Sequence, residues 1–86
     1  MTCRVFYTSQ VEKQLKKLSS TDIKRVIQKT KLLTLPLSEN FDIQKMVNAA
    51  NFYRLRVGKV RILFEIENKQ KEIWIRAIKY RGSIYK

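Results

Sequence analysis

Phe52-Tyr53-Arg54-Leu55-Arg56-Val57-Gly58-Lys59-Val60-Arg61-Ile62-Leu63-Phe64 reads as a β-hairpin that sets three arginines on one face of a sheet. Two runs of strand composition flank Gly58-Lys59, and a two-residue loop beginning with Gly suits the primed turns that join antiparallel strands. With that loop, Val57 faces Val60, Arg56 faces Arg61 and Leu55 faces Ile62. Side chains alternate along a strand, so Arg54, Arg56 and Arg61 share one face, and Leu55, Val57, Val60, Ile62 and Phe64 share the other. Like charges directly opposed destabilise a sheet. An anion between Arg56 and Arg61 removes that cost, and forked guanidinium donors match phosphate geometry. The competing reading is a solvated outer face on a basic protein.

Length and charge frame this hairpin. The 86 residues make one small domain, 1–86, with a hydrophobic fraction of 44%, two Gly and one Pro, a composition of ordered globular chains. The net charge is +12, from 19 Lys and Arg against 7 Asp and Glu. Such an imbalance points to a polyanionic partner: nucleic acid, an acidic protein or an anionic membrane. The excess grows along the chain, with 8 basic and 4 acidic side chains in residues 1–44 but 11 and 3 in residues 45–86. The C-terminal sheet is therefore the expected binding surface.

Cys3 is the one cysteine, which excludes an internal disulfide and suggests a reducing cytoplasm. It reads as a small strand residue, since the chain has no His to activate it as a nucleophile. The lack of His also removes Ser-His-Asp arrangements and the common zinc sites, so neither metal nor cofactor is expected. Met1-Thr2-Cys3-Arg4 leads straight into structured sequence without a signal peptide, and no apolar run approaches membrane-spanning length.

Cys3 to Thr8 alternates and is β-rich, which predicts a first strand. Ser9 is placed to cap a helix with Val11, Leu15 and Leu18 at helical spacing and Lys13, Lys16 and Lys17 on its wet side. Ser19-Ser20-Thr21-Asp22 ends that helix and caps a second, with Ile23, Val26, Ile27 and Thr30 as a stripe continuing to Leu33 and Pro36 as its stop. Leu37 to Asn51 reads as a connection, with Phe41, Ile43, Met46 and Val47 tucked against the core edge. After the hairpin and the polar turn Glu67 to Lys71, Ile73 to Ile78 forms a last strand. The order β-α-α-β-β-β predicts an α+β fold: a two-helix hairpin packed on a small antiparallel sheet, with the other sheet face open.

That open face carries chemistry only if the last strand and the tail join it, and the tail brings Lys79, Tyr80, Arg81 and Tyr85. Interleaved cations and aromatics suit unstacked nucleotides, because phosphates take the cations and bases take the flat rings. Lys59 in the loop belongs to the same basic surface. Tyr85 reads equally as a rim aromatic of the core. Trp74 alternates away from Ile73 and Ile75, either as a stacking platform or as the cover of a small cluster with Leu63. Lys13, Lys16 and Lys17 form a solvated face or a rail along a nucleic-acid backbone.

The element order, the run Tyr53 to Phe64, the ending Lys79-Tyr80-Arg81-Gly82-Ser83-Ile84-Tyr85 and the first-helix motif Lys13-Gln14-Leu15-Lys16-Lys17-Leu18 resemble the RelE/ParE superfamily of toxins over essentially the whole chain. The resemblance implies a toxin of a type II toxin–antitoxin system, neutralised by an acidic antitoxin protein. Its RelE branch implies a ribosome-dependent endoribonuclease that cuts mRNA by 2′-OH attack without metal. Its ParE branch implies a non-nuclease inhibitor of DNA gyrase. By resemblance, Arg54 and Arg56 match paired basic residues of the active site and Arg61 the phosphate-stabilising arginine. Lys79 and Arg81 match the tail cations, and Tyr85 a substrate-orienting tyrosine. Two departures bear on proton transfer. Arg56 stands where some members have Lys, and guanidinium does not lose its proton in proteins. Tyr80 stands where many have His.

Overall fold

The computed structural model describes residues 3–35, 37, 40–47 and 50–80. In chain order its elements are β1 (Arg4–Tyr7), α1 (Ser9–Leu15), α2 (Ser20–Lys31), β2 (Ile43–Lys45), β3 (Phe52–Val57), β4 (Val60–Glu67) and β5 (Glu72–Tyr80). They form two helices on a five-stranded sheet of order β1-β5-β4-β3-β2. The sheet is mostly antiparallel; β1 runs parallel to β5.

The hairpin forms as its pattern dictates. Val57 pairs with Val60, Arg56 with Arg61 and Leu55 with Ile62. Gly58 takes φ +58°, the positive value that the first loop residue of a type II′ turn needs. Leu55, Val57, Val60, Ile62 and Phe64 are all buried beneath the helices, where they meet Val11, Val26, Ile73, Ile75 and Ile78. Full burial of each large side chain contributes about 1.5–3 kcal/mol, so this face holds the two layers together. Tyr53 stacks on Phe64 at the edge of the same layer, with ring centroids 5.7 Å apart.

A β-bulge in the pairing of β4 with β5 decides which residues of the last strand face out. Leu63 pairs with Ala77 but Phe64 with Ile75, so Arg76 is the extra residue. Arg76 and Ala77 therefore both lie on the outer side, and the alternation beyond them reverses. Ile78 is buried in the core. Lys79 faces out beside Arg61, while Tyr80 turns toward the helices. Its hydroxyl accepts from the Ser19 backbone N–H and donates to Asp22, both at 2.9 Å, pinning the strand end to the start of α2. The Gln14 side chain accepts the Ile78 backbone N–H at 2.7 Å, where β5 extends past the reach of β1.

Several local expectations are corrected. Thr8, not Ser9, caps α1: its hydroxyl accepts from the Val11 N–H at 3.2 Å. α1 ends at Leu15, short of Leu18, while Ser19 caps α2 as expected, through the Asp22 N–H. That helix ends at Lys31, with Leu32 as its C-cap, well before Pro36, which lies outside the described residues. The connection after it contains β2, a three-residue strand stabilised by its pairing with β3 and too short to show a period. Val47 is exposed rather than tucked against the core, whereas Phe41 and Ile43 do pack on it.

Candidate functional site

The outer sheet face is laid out in rows across the strands. Arg56, Arg61 and Lys79 stand in one row on β3, β4 and β5. The next row runs Gln44, Arg54, Leu63 and Ala77. The row beyond holds Phe52, Glu65, Trp74 and Phe6. Charge thus changes from cationic near the hairpin loop, through a middle row that is polar on β2 and β3 and apolar on β4 and β5, to a mixed aromatic end.

Short β2 organises the cationic end. Asp42, just before it, accepts the Arg56 backbone N–H at 3.0 Å. Its Oδ2 also takes Arg56 Nε at 2.7 Å and Nη2 at 2.6 Å. Because the Arg56 N–H bonds toward β2, Arg56 and Arg61 form a non-hydrogen-bonded pair, the type in which opposed side chains come closest. Asp42 therefore supplies one anion of the kind that opposed arginines require. With both partners more than half exposed, this pair contributes at most about 1 kcal/mol, and its main effect is orientation. Arg54 is held in turn by Gln44, Nη2 to Oε1 at 2.6 Å. A hollow of about 330 Å³ lies among Asp42, Ile43, Gln44, Arg54, Arg56 and Arg61. One carboxylate against three guanidinium groups leaves it cationic, which suits a phosphate.

At the other end the charges are matched. Arg76 pairs with Glu65 at 2.6 Å and Arg4 with Glu72 at 3.1 Å. Trp74 stacks on Phe6 with centroids 4.7 Å apart, its indole N–H donates to Glu72, and Arg76 lies over its ring. Trp74 is thus part of a cluster, as one reading had it, but with Phe6 rather than Leu63. The parallel register places Phe6 beside it, while Leu63 sits opposite Ala77.

The structure brings together Arg54, Arg56, Arg61 and Lys79, with exposed Lys59 at the tip of the same hairpin. Tyr80 departs from its expected placement, because the bulge turns it to the helical side. Lys13, Lys16 and Lys17 are exposed on the helix layer, away from the arginine row. Lys17 meets Lys79 and Tyr80 only around a separate hollow at the sheet end. Arg81 and Tyr85 lie outside the described residues. Asp42 and Gln44 belong to the site and were missed, because the strand β2 beside them is too short to show a period and the segment reads as loop. Cys3 donates its thiol to the Leu33 carbonyl at 3.3 Å, and burial pushes that thiol above its ordinary pKa. Among the described residues no three His, Cys, Asp or Glu side chains gather as a metal-ligand set. No helix among them is long and apolar enough to cross a membrane.

A two-helix layer on a mostly antiparallel five-stranded sheet is the fold of RelE-like toxins, and here its open face carries a cationic row. Residues 5–85 match the family model described as the ParE toxin of type II toxin–antitoxin systems, parDE, and the chain belongs to that family within the RelE/ParE superfamily. It is 32% identical over 80 residues to a protein of Methanocaldococcus jannaschii named as a candidate toxin, RelE1, covering 90% of this chain and 88% of that protein. A chain of the RelE–RelB complex of Pyrococcus horikoshii superposes with TM-score 0.81 at 32% identity, covering 95% of this chain and 98% of the other. The isolated RelE toxin of E. coli shares the fold at 16% identity, with TM-score 0.74 over 98% and 92% of the two chains.

Proposed function

We propose that this type II toxin is a ribosome-dependent mRNA endonuclease of the RelE kind, acting from the cytoplasm and restrained by an acidic antitoxin. The observation that supports this reading is the row Arg56, Arg61 and Lys79 with Arg54 beside it, a convergence of phosphate binders that a protein inhibitor does not need. In the reaction, the substrate's own 2′-OH gives its proton to a ribosomal group as its oxygen bonds to the adjacent phosphorus, and the P–O5′ bond breaks with the 5′-oxygen taking up a proton from Lys79 or the ribosome. Arg61 and Arg56 offset charge that develops on the phosphorane, Arg54 positions the strand, and Lys79 holds the flanking phosphate. Arg81 and Tyr85 complete the site from the tail by resemblance. Arginines make poor proton acceptors, so much of the rate enhancement comes from alignment by the ribosome, which by positioning alone lowers a barrier by up to about 7–11 kcal/mol. The partner reading rests on the net charge of +12 and on likeness to chains solved as RelE–RelB complexes.

The family model carries the ParE name, which keeps a gyrase inhibitor as the second reading. Cleavage on programmed ribosomes, read by primer extension beside a gyrase supercoiling assay, separates the two. The proposal expects cuts within the codon, products ending in 2′,3′-cyclic phosphate, and free RNA left nearly intact. Arg81→Ala and Tyr85→Phe slow single-turnover cleavage more than they weaken ribosome binding. Intact mRNA together with inhibited gyrase overturns the proposal.

A further inference from the structure

Beside the cationic row lies a second hollow of about 200 Å³, lined by Met46, Leu63 and Ala77 and rimmed by Arg54, Arg61 and Lys79. It exists because of the bulge. Arg76 takes the extra position, so the small side chain of Ala77 lies directly opposite Leu63 and leaves a shallow apolar floor between them. Met46, following β2, forms one wall and is fixed by its backbone bond to the Phe52 carbonyl at 2.9 Å. An apolar floor of this size beside three cations has two complementary demands: a flat ring system for the floor, and negative charge on either side of it. A nucleotide in a single strand meets both, since each unstacked base is flanked by phosphates. A protein segment needs an apolar side chain and separate carboxylates placed around it to match the same floor and rim, whereas a single strand repeats a flat ring between two phosphates at every step.

We infer that this hollow seats one nucleobase of the RNA strand whose phosphates lie along Arg56, Arg61 and Lys79. The inference deepens the proposed function and rests on it for the identity of the strand. The seat has no side-chain amide or carboxylate in its floor, so it selects by ring size and stacking rather than by base-edge hydrogen bonds. A preference between purine and pyrimidine at one position follows, not a fixed sequence.

The test uses the full-length protein with methyl-labelled Met, Leu and Ala and 15N-labelled Arg, titrated with adenosine 3′-monophosphate, cytidine 3′-monophosphate and inorganic phosphate. Phosphate is expected to move the Arg54, Arg56 and Arg61 side-chain signals and to leave the methyls in place. The nucleotides are expected to move the Met46, Leu63 and Ala77 methyls as well, and to bind roughly fivefold or more tighter than phosphate. Ala77→Leu fills the seat and should erase that difference while phosphate binding persists; Met46→Ala serves if Ala77→Leu does not fold. Nucleotides that bind no tighter than phosphate and leave the methyls unmoved overturn the seat, even where ribosomal cleavage is intact. Methyl shifts that arise only from self-association at rising protein concentration reassign the hollow to a contact between copies and also overturn it. A protein that fails to cleave mRNA yet binds nucleotides through these methyls keeps the seat and discards the endonuclease reading.

Discussion

Replacing one residue from each side of the hairpin separates scaffold from site. Leu55 is 1% exposed in the core, and Leu55→Ala leaves a cavity there that costs about 2–5 kcal/mol. A domain of this size has a total stability of about 4–13 kcal/mol, so the loss is a large share of it. It should lower the melting temperature by roughly 10 °C or more and the urea midpoint by roughly 1 M or more. Arg61 lies opposite Arg56 on the other face. Arg61→Ala removes like-charge opposition but also the packing of its stem, two opposing effects that each amount to about 1 kcal/mol or less. Net stability should therefore stay within about 1 kcal/mol of the parent. Function should respond in the reverse order. Removing one donor aimed at developing charge typically costs about 100-fold or more in rate, so Arg61→Ala should abolish growth arrest and slow ribosomal cleavage by that factor. Urea denaturation followed by circular dichroism, beside single-turnover cleavage, reads both effects. If Arg61→Ala unfolds the domain while Leu55→Ala leaves it stable, the faces are assigned backwards. A folded and fully active Arg61→Ala protein removes the arginine row from the mechanism.

Trp74→Ala breaks the stack on Phe6 and should destabilise by about 1–3 kcal/mol in urea titrations while cleavage by the folded protein persists; lost cleavage at unchanged stability makes Trp74 an RNA platform instead. Asp42→Asn removes the carboxylate that competes with phosphate for Arg56, so RNA binding at low salt should tighten by roughly twofold to fivefold in anisotropy titrations. Lys59→Ala should weaken RNA binding without changing base preference and reduce the slope of log K against log salt by about 0.7, one single-strand phosphate contact. Burial raises the Cys3 thiol pKa above its ordinary 9.0, so the folded state holds this proton more tightly than the unfolded chain. The stability linked to it is fully present below pH 9.0 and is lost as pH rises from there through the folded value. Cys3→Ala should remove that limb from pH-dependent melting curves.

The hairpin was legible from residues 52–64 because its determinants are local: a glycine able to take positive φ, and a period of two that sorts arginines from aliphatics. Both helices were legible for the same reason, to within a residue at their starts, where Thr8 and Ser9 are chemically interchangeable, but each ends several residues sooner than its apolar stripe suggested. Three features were decided only by the tertiary structure. The strand β2 exists through its hydrogen bonds to β3, and with it come Asp42 and Gln44, which orient Arg56 and Arg54. The pairing of Trp74 with Phe6 depends on a parallel register between strands nearly seventy residues apart. The bulge at Arg76 is the third. A strict period of two through β5 points Lys79 inward and Tyr80 outward, and the folded protein does the reverse. Nothing local marks that residue as extra. Its position is set by the need to bury Ile73, Ile75 and Ile78 on one face at once, and a strand that alternates without interruption cannot bury all three.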